Sequence, residues 1–240
     1  MNEKKYSKKK VLILWVIFLF AAAGFYSLFV PDEAAVPTAA DSAWEPVYRG
    51  ETGKNQVAFA INVDWGEDYI PGFLETFAAH DIETTFFLTG RWVTEFPDVA
   101  KTIKAAGMEI GNHGYNHKSP NDMSYDENVQ DIVNAEDAIQ QNLGIKTSLF
   151  APASGEREDQ VLQAASELGY RTILWSADTI DWQKPSVDTI ILRVKEDLCD
   201  GAIILMHPTE NTLSALPALI ELIEEQGYRI VPISELIKVE

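Results

Sequence analysis

Met108-Glu109-Ile110-Gly111-Asn112-His113-Gly114-Tyr115-Asn116-His117 reads as the end of a short strand running into a corner that carries two of the chain's four histidines. Imidazole is the commonest nitrogen donor to a borderline-soft cation such as zinc. An i, i+4 pair on one helical turn, or across a tight strand-to-helix corner, aims both rings at one spot. The bland alternative is a pair of rings that cap a loop.

Outward from that corner, short runs of β-formers alternate with helical patterns. Val57–Ile61, Thr84–Leu88, Met108–Ile110, Ser148–Phe150, Thr172–Trp175, Ala202–Met206 and Arg229–Val231 read as seven strands. Between them the apolar period lengthens: Ile132, Ala135, Ile139 and Leu143 share one helical face, as do Val187, Ile190, Ile191, Val194 and Leu198. Ser124-Tyr125-Asp126-Glu127 has the form of a capping box, and Pro217 fits the first turn of the last long helix. This alternation predicts an α/β fold, a distorted (β/α) barrel of about seven parallel strands. Polar residues fall just past the carboxyl ends of successive strands: Asn62 and Asp64, Asn112 and His113, Ser154, Asp178 and Asp181, and His207. Barrels of this kind build their sites on that face, so a metal-centred site is expected there.

The first ten residues hold five lysines against Glu3, and Val11 to Val30 is apolar throughout. Twenty residues suffice for a transmembrane helix, so a single-pass signal-anchor is expected at 11–30 behind a cytoplasmic basic segment at 1–10. Cleavage near Ala39-Ala40, giving a secreted domain, is the alternative. Residues 31–49, rich in Ala, Pro and acidic residues, read as a spacer, and the domain is expected at 50–240 outside the membrane. The net charge of −18, with +4 on residues 1–10, leaves −22 on the remainder, which argues against a nucleic-acid partner. Lone Cys199 permits no internal disulfide and reads as a small core side chain. His80 reads as a surface or capping residue. Composition and pattern leave the oligomeric state open.

Over almost all of residues 50–240 the chain resembles the polysaccharide deacetylases of the NodB-homology type, carbohydrate esterase family four. The resemblance rests on His113 and His117 within Ile110-Gly111-Asn112-His113, on Asp181-Trp182, on Leu205-Met206-His207, on the strand Val57–Ile61, and on Thr84, Phe86, Phe87, Leu88 and Gly90. Asp64-Trp65-Gly66-Glu67 and Leu205-Met206-His207-Pro208-Thr209 look most like the membrane-anchored, sporulation-associated branch.

The resemblance implies metal-assisted removal of N-acetyl groups from the aminosugars of cell-wall glycan, with a divalent metal, zinc foremost, held by His113, His117 and a carboxylate. It implies His207 as general acid, Asp181 among the catalytic residues, and Trp182, Leu205 and Ser154 along the substrate. Two departures stand out. Asn62 and Val63 occupy the positions of the family's catalytic-base and metal-binding aspartates, and neither side chain can do that work. Asp64 is the remaining carboxylate, as base or third ligand, if Asp64-Trp65 bulges inward. Ala151 replaces the family's arginine, leaving Asp181 without its expected partner unless Lys184 substitutes. The alternative to an active deacetylase is a catalytically silent relative that binds glycan or serves in wall assembly. His207 as a core histidine, and Trp175 and Trp182 as rim packing, remain the bland readings.

Overall fold

The structure, a computed structural model, describes residues 44–238. The expected transmembrane segment at 11–30 and most of the spacer lie outside the described residues. Among those described, no helix is long and apolar enough to cross a membrane.

Eight strands form the sheet: β1 (Gln56–Val63), β2 (Thr85–Leu88), β3 (Glu109–Asn112), β4 (Leu149–Phe150), β5 (Arg171–Thr172), β6 (Ala177–Asp178), β7 (Ile203–Met206) and β8 (Arg229–Ile230). Their order is β5-β4-β3-β2-β1-β7-β6, with β8 on the lower end of β1, and every named pair is parallel. The seven expected strands are all present. The eighth, β6, is two residues long, too short to show any period, which is why the sequence does not announce it. No pairing joins β5 to β6 among the described residues, so the expected barrel is curled but open at that edge. The chain joins the sheet before residue 50, through a parallel bridge between Val47 and Ile173.

The pleat of β1 sorts its side chains between two cores. Val57, Phe59, Ile61 and Val63 face the layer of helices, where Phe59, Phe77 and Phe86 pack ring against ring. Ala58 and Ala60 face the interior of the curl, beside Phe87, Leu149 and Ile203. The small side chains let the sheet bend, and the next residue on that inner side, Asn62, reaches the carboxyl end of the strand.

Helix caps follow the sequence closely. Ser124 and Glu127 form the expected capping box on α4 (Tyr125–Leu143), counting α1 (Ile70–Ala79), α2 (Gly90–Glu95) and α3 (Pro97–Ala105) before it. Further on come α5 (Asp159–Glu167), α6 (Val187–Asp197), α7 (Glu210–Glu225) and the short α8 (Ile233–Ile237). Pro217 is not in the first turn of α7, as the sequence suggests. The helix starts from a Thr209 cap that accepts from the Thr212 N–H, and Pro217 lies in its interior, where its ring removes one ladder bond.

Candidate active site

A cleft of about 420 Å³ opens at the carboxyl ends of the strands, lined by residues that include Asn62, Asp64, His113, His117, Asp178 and His207. Ser154, Trp175, Trp182 and Leu205 complete its walls with Trp65. Every residue singled out from the sequence as catalytic, metal-binding or substrate-binding is therefore here, except that Asp181 lies beneath the floor, fully buried. A second recess of about 440 Å³ adjoins it and shares Trp65 and Trp182.

The histidine corner is held by its own backbone. Asn112 closes β3 and accepts the Gly114 N–H at 2.8 Å, while its amide donates to the Ile132 carbonyl at 3.0 Å and the Tyr170 hydroxyl at 3.2 Å. Asp131 takes the Tyr115 N–H at 2.9 Å. His113, 1% exposed, donates from Nδ1 to the Ala151 carbonyl at 2.6 Å, which leaves Nε2 with a lone pair. Burial, reinforced by the neighbouring His117, pushes the His113 imidazolium down to about 3, so the ring is neutral at any physiological pH. The His113 and His117 rings meet edge to face, 5.0 Å between centroids. His117 sits at φ 52°, a left-handed conformation shared around the cleft by Ser154, Ile180 and Lys184. Such backbone is uncommon for residues with a Cβ and gathers where a site must hold side chains off their relaxed positions.

The half of the site around His207 is fully bonded. Asp181 Oδ1 faces His207 Nδ1 at 2.7 Å, and Oδ2 accepts the His207 backbone N–H at 2.7 Å and the Thr212 hydroxyl at 2.6 Å. The buried carboxylate thus fixes the ring and the tautomer that leaves Nε2 for the cleft. Asp181 consequently needs neither the missing arginine nor Lys184: three bonds from His207 and Thr212 take that place. Thr212 carries no signal in the sequence beyond its spacing from Thr209. Trp65 lies parallel to His207, with 6.0 Å between ring centroids.

The other half is incomplete. Val63 is fully buried with the helix-facing core and takes no part in the cleft. Asp64 lines the cleft without completing a three-donor cluster with the two imidazoles. Its Oδ1 accepts from the Thr89 hydroxyl at 2.8 Å and its Oδ2 pairs with Arg91 at 2.6 Å, which also raises the Arg91 guanidinium above its ordinary value. Gly66, at φ 89°, ends the turn so close to the Pro208 carbonyl that no Cβ would fit. Among the described residues, no three His, Cys, Asp or Glu side chains converge as a metal site would require. Two imidazoles fit a metal, and the carboxylate of Asp64, which lines the same cleft, is bound to Thr89 and Arg91. Asn62 is the side chain that enters the cleft from β1, 5% exposed, with its Oδ1 unpartnered among the described residues.

Asp178 lines the cleft as a hydrogen-bond acceptor. Its oxygens accept from Trp175 Nε1 at 3.1 Å and the Ile180 N–H at 2.8 Å, and burial raises its carboxyl above the usual range. His80 caps the end of α1, and Cys199 packs at the margin of the core, in keeping with their sequence contexts.

Comparison with known proteins agrees with this geometry. The polysaccharide deacetylase family model matches residues 49–173. Among curated relatives, the chain is 40% identical over 192 residues to the uncharacterised protein YlxY of Bacillus subtilis, covering 80% of this chain and 60% of that one. It is 34% identical over 196 residues to a peptidoglycan-N-acetylglucosamine deacetylase of Bacillus cereus, covering 78% and 92%. Among solved structures it superposes, with TM-score 0.78 and 42% identity over 80% of this chain and 68% of the other, on a pseudoenzyme of carbohydrate esterase family four from Bacillus anthracis. A mutant of that pseudoenzyme, 40% identical to this chain and likewise at TM-score 0.78, is described as having restored enzymatic activity. With a curled parallel sheet, a histidine pair after β3 and an Asp–His couple spanning β6 and β7, this chain belongs to the polysaccharide deacetylase family.

Proposed function

We propose that this chain engages the N-acetylated glycan of a bacterial cell wall through a deacetylase cleft whose base and third metal donor are missing, so that hydrolysis is very slow or absent. One observation carries the reading: the side chain that β1 sends into the cleft is Asn62, and the neighbouring carboxylate, Asp64, is clasped by Thr89 and Arg91. An amide cannot take a proton from water near neutral pH, and general-base assistance is typically worth about 10²–10⁴-fold. The likeness to a pseudoenzyme of the same family supports the reading, as does the deacetylase of Bacillus cereus for the choice of glycan.

The second reading is a working deacetylase of low rate, and the intact Asp181–His207–Thr212 assembly favours it. His207 Nε2 would protonate a departing amine, and Trp65 and Trp182 would stack along the sugar. A divalent ion bound by His113 and His117 would polarise an acetyl carbonyl, but with two protein donors it would be held weakly. Anchoring by residues 11–30, with the domain outside the membrane as in the sporulation-associated branch, belongs to the same proposal.

Acetate release from acetylated chitooligosaccharides separates the two readings. In zinc-supplemented buffer Asn62→Asp restores a carboxylate beside the imidazoles and raises the rate by about 10²-fold or more. A native chain that already matches the variant would sink the silent reading and leave the enzyme.

A further inference from the structure

We propose that Asn62 is the residue by which this cleft selects N-acetylated over de-N-acetylated sugar, its buried amide oxygen accepting the N–H of the acetamide group. The inference rests on the glycan-binding reading above and assigns that reading a specificity determinant.

Asn62 is 5% exposed, yet Oδ1 has no hydrogen-bond partner among the described residues. A buried acceptor left without a donor costs about 1–3 kcal/mol. Asn62 lines the cleft, so its amide, by turning about its last bond, can present either end to a ligand seated there. Three other polar side chains of the cleft are otherwise engaged. His113 donates to Ala151, Asp64 is held by Thr89 and Arg91, and Asp178 accepts from Trp175 and Ile180.

Charge then decides which sugar is preferred. Where a deacetylase has a carboxylate, this chain has a neutral amide, and Asp64 close by is already compensated by Arg91. A protonated amino sugar whose nitrogen sits at Asn62 would lose hydration against a neutral amide, while Asp178, the other carboxylate of the lining, is engaged by Trp175 and Ile180 and has its carboxyl raised by burial. An acetamide brings an uncharged donor and a methyl group, both suited to walls that include Trp65, Trp175 and Leu205. Turning the amide of Asn62 half a revolution presents Nδ2 instead, which donates to the acetamide carbonyl. Neither orientation provides the charge that an ammonium needs. Replacement of the base has thus turned a proton acceptor into a reader of the group that the family's enzymes remove.

The test is calorimetric titration of the full chain, in mild detergent with chelator present, against tetra-N-acetylchitotetraose and the fully deacetylated tetramer. The native chain is expected to favour the acetylated tetramer by about ten-fold. Asn62→Leu weakens that binding by about ten-fold, and isosteric Asn62→Asp shifts the preference toward the deacetylated tetramer. Unchanged affinity for the acetylated tetramer in Asn62→Asp, with native binding intact, overturns the role of Asn62 and leaves the glycan reading standing. Absence of native binding to either tetramer overturns the glycan reading and this inference with it.

Discussion

Lowering the pH from 7 to 5 should destabilise this fold through one ring, that of His113. In the unfolded chain the imidazole takes up a proton near pH 6.5, whereas in the cleft floor burial holds that event down to about 3. The folded state binds fewer protons across that window, so stability is complete above 6.5 and falls as the pH drops toward 3. Each pH unit inside the window is worth about 1.4 kcal/mol, and the step from pH 7 to pH 5 crosses about 1.5 of them, a loss of about 2 kcal/mol. Urea unfolding at the two pH values, with chelator present, measures it. His113→Asn is the reference, because its Nδ2 can replace Nδ1 as donor to the Ala151 carbonyl while carrying no titratable group. Asp178, whose carboxyl is raised by burial, contributes with the opposite sign, and it cancels when the native chain and the variant are compared. Parallel losses in the two proteins would refute the reasoning, since they would mean that the His113 ring is reached by water or protons in the native state.

Thr212→Val removes a donor from a fully buried carboxylate oxygen and should cost about 1.5–3 kcal/mol, read from urea midpoints; a change below about 0.5 kcal/mol would show that Asp181 does not depend on it. Protease added to intact cells or protoplasts should degrade the domain if residues 11–30 anchor it outside, and protection equal to that of a cytosolic marker would reverse the topology.

How much of the fold and the cleft is legible in the sequence depends on the distance over which each feature is decided. The strands that carry β-formers over three residues or more, the histidine corner and the Asp181–Trp182 and Leu205–His207 pairs are local patterns, and the fold places each at the cleft. The role of Asp64 is decided elsewhere, by Thr89 and Arg91 reaching it from the start of α2, and no period in the sequence reports that meeting. Thr212 is likewise brought to Asp181 by the seating of α7. Val63 is different, because a strand's two-residue period by itself puts it on the face opposite Asn62 and so away from the cleft.

The clasp on Asp64 also bears on how freely residue 64 can change. A carboxylate that ties the end of β1 to Thr89 and Arg91 is part of the scaffold, so a descendant that put residue 64 to another use would first have to find another tie for the strand. Asn62 carries no such obligation, since its oxygen serves no internal bond. Within this lineage, then, the two positions differ in evolutionary freedom: one substitution at residue 62 can be tried and undone at little structural cost, while residue 64 is entrenched by the fold that it now supports.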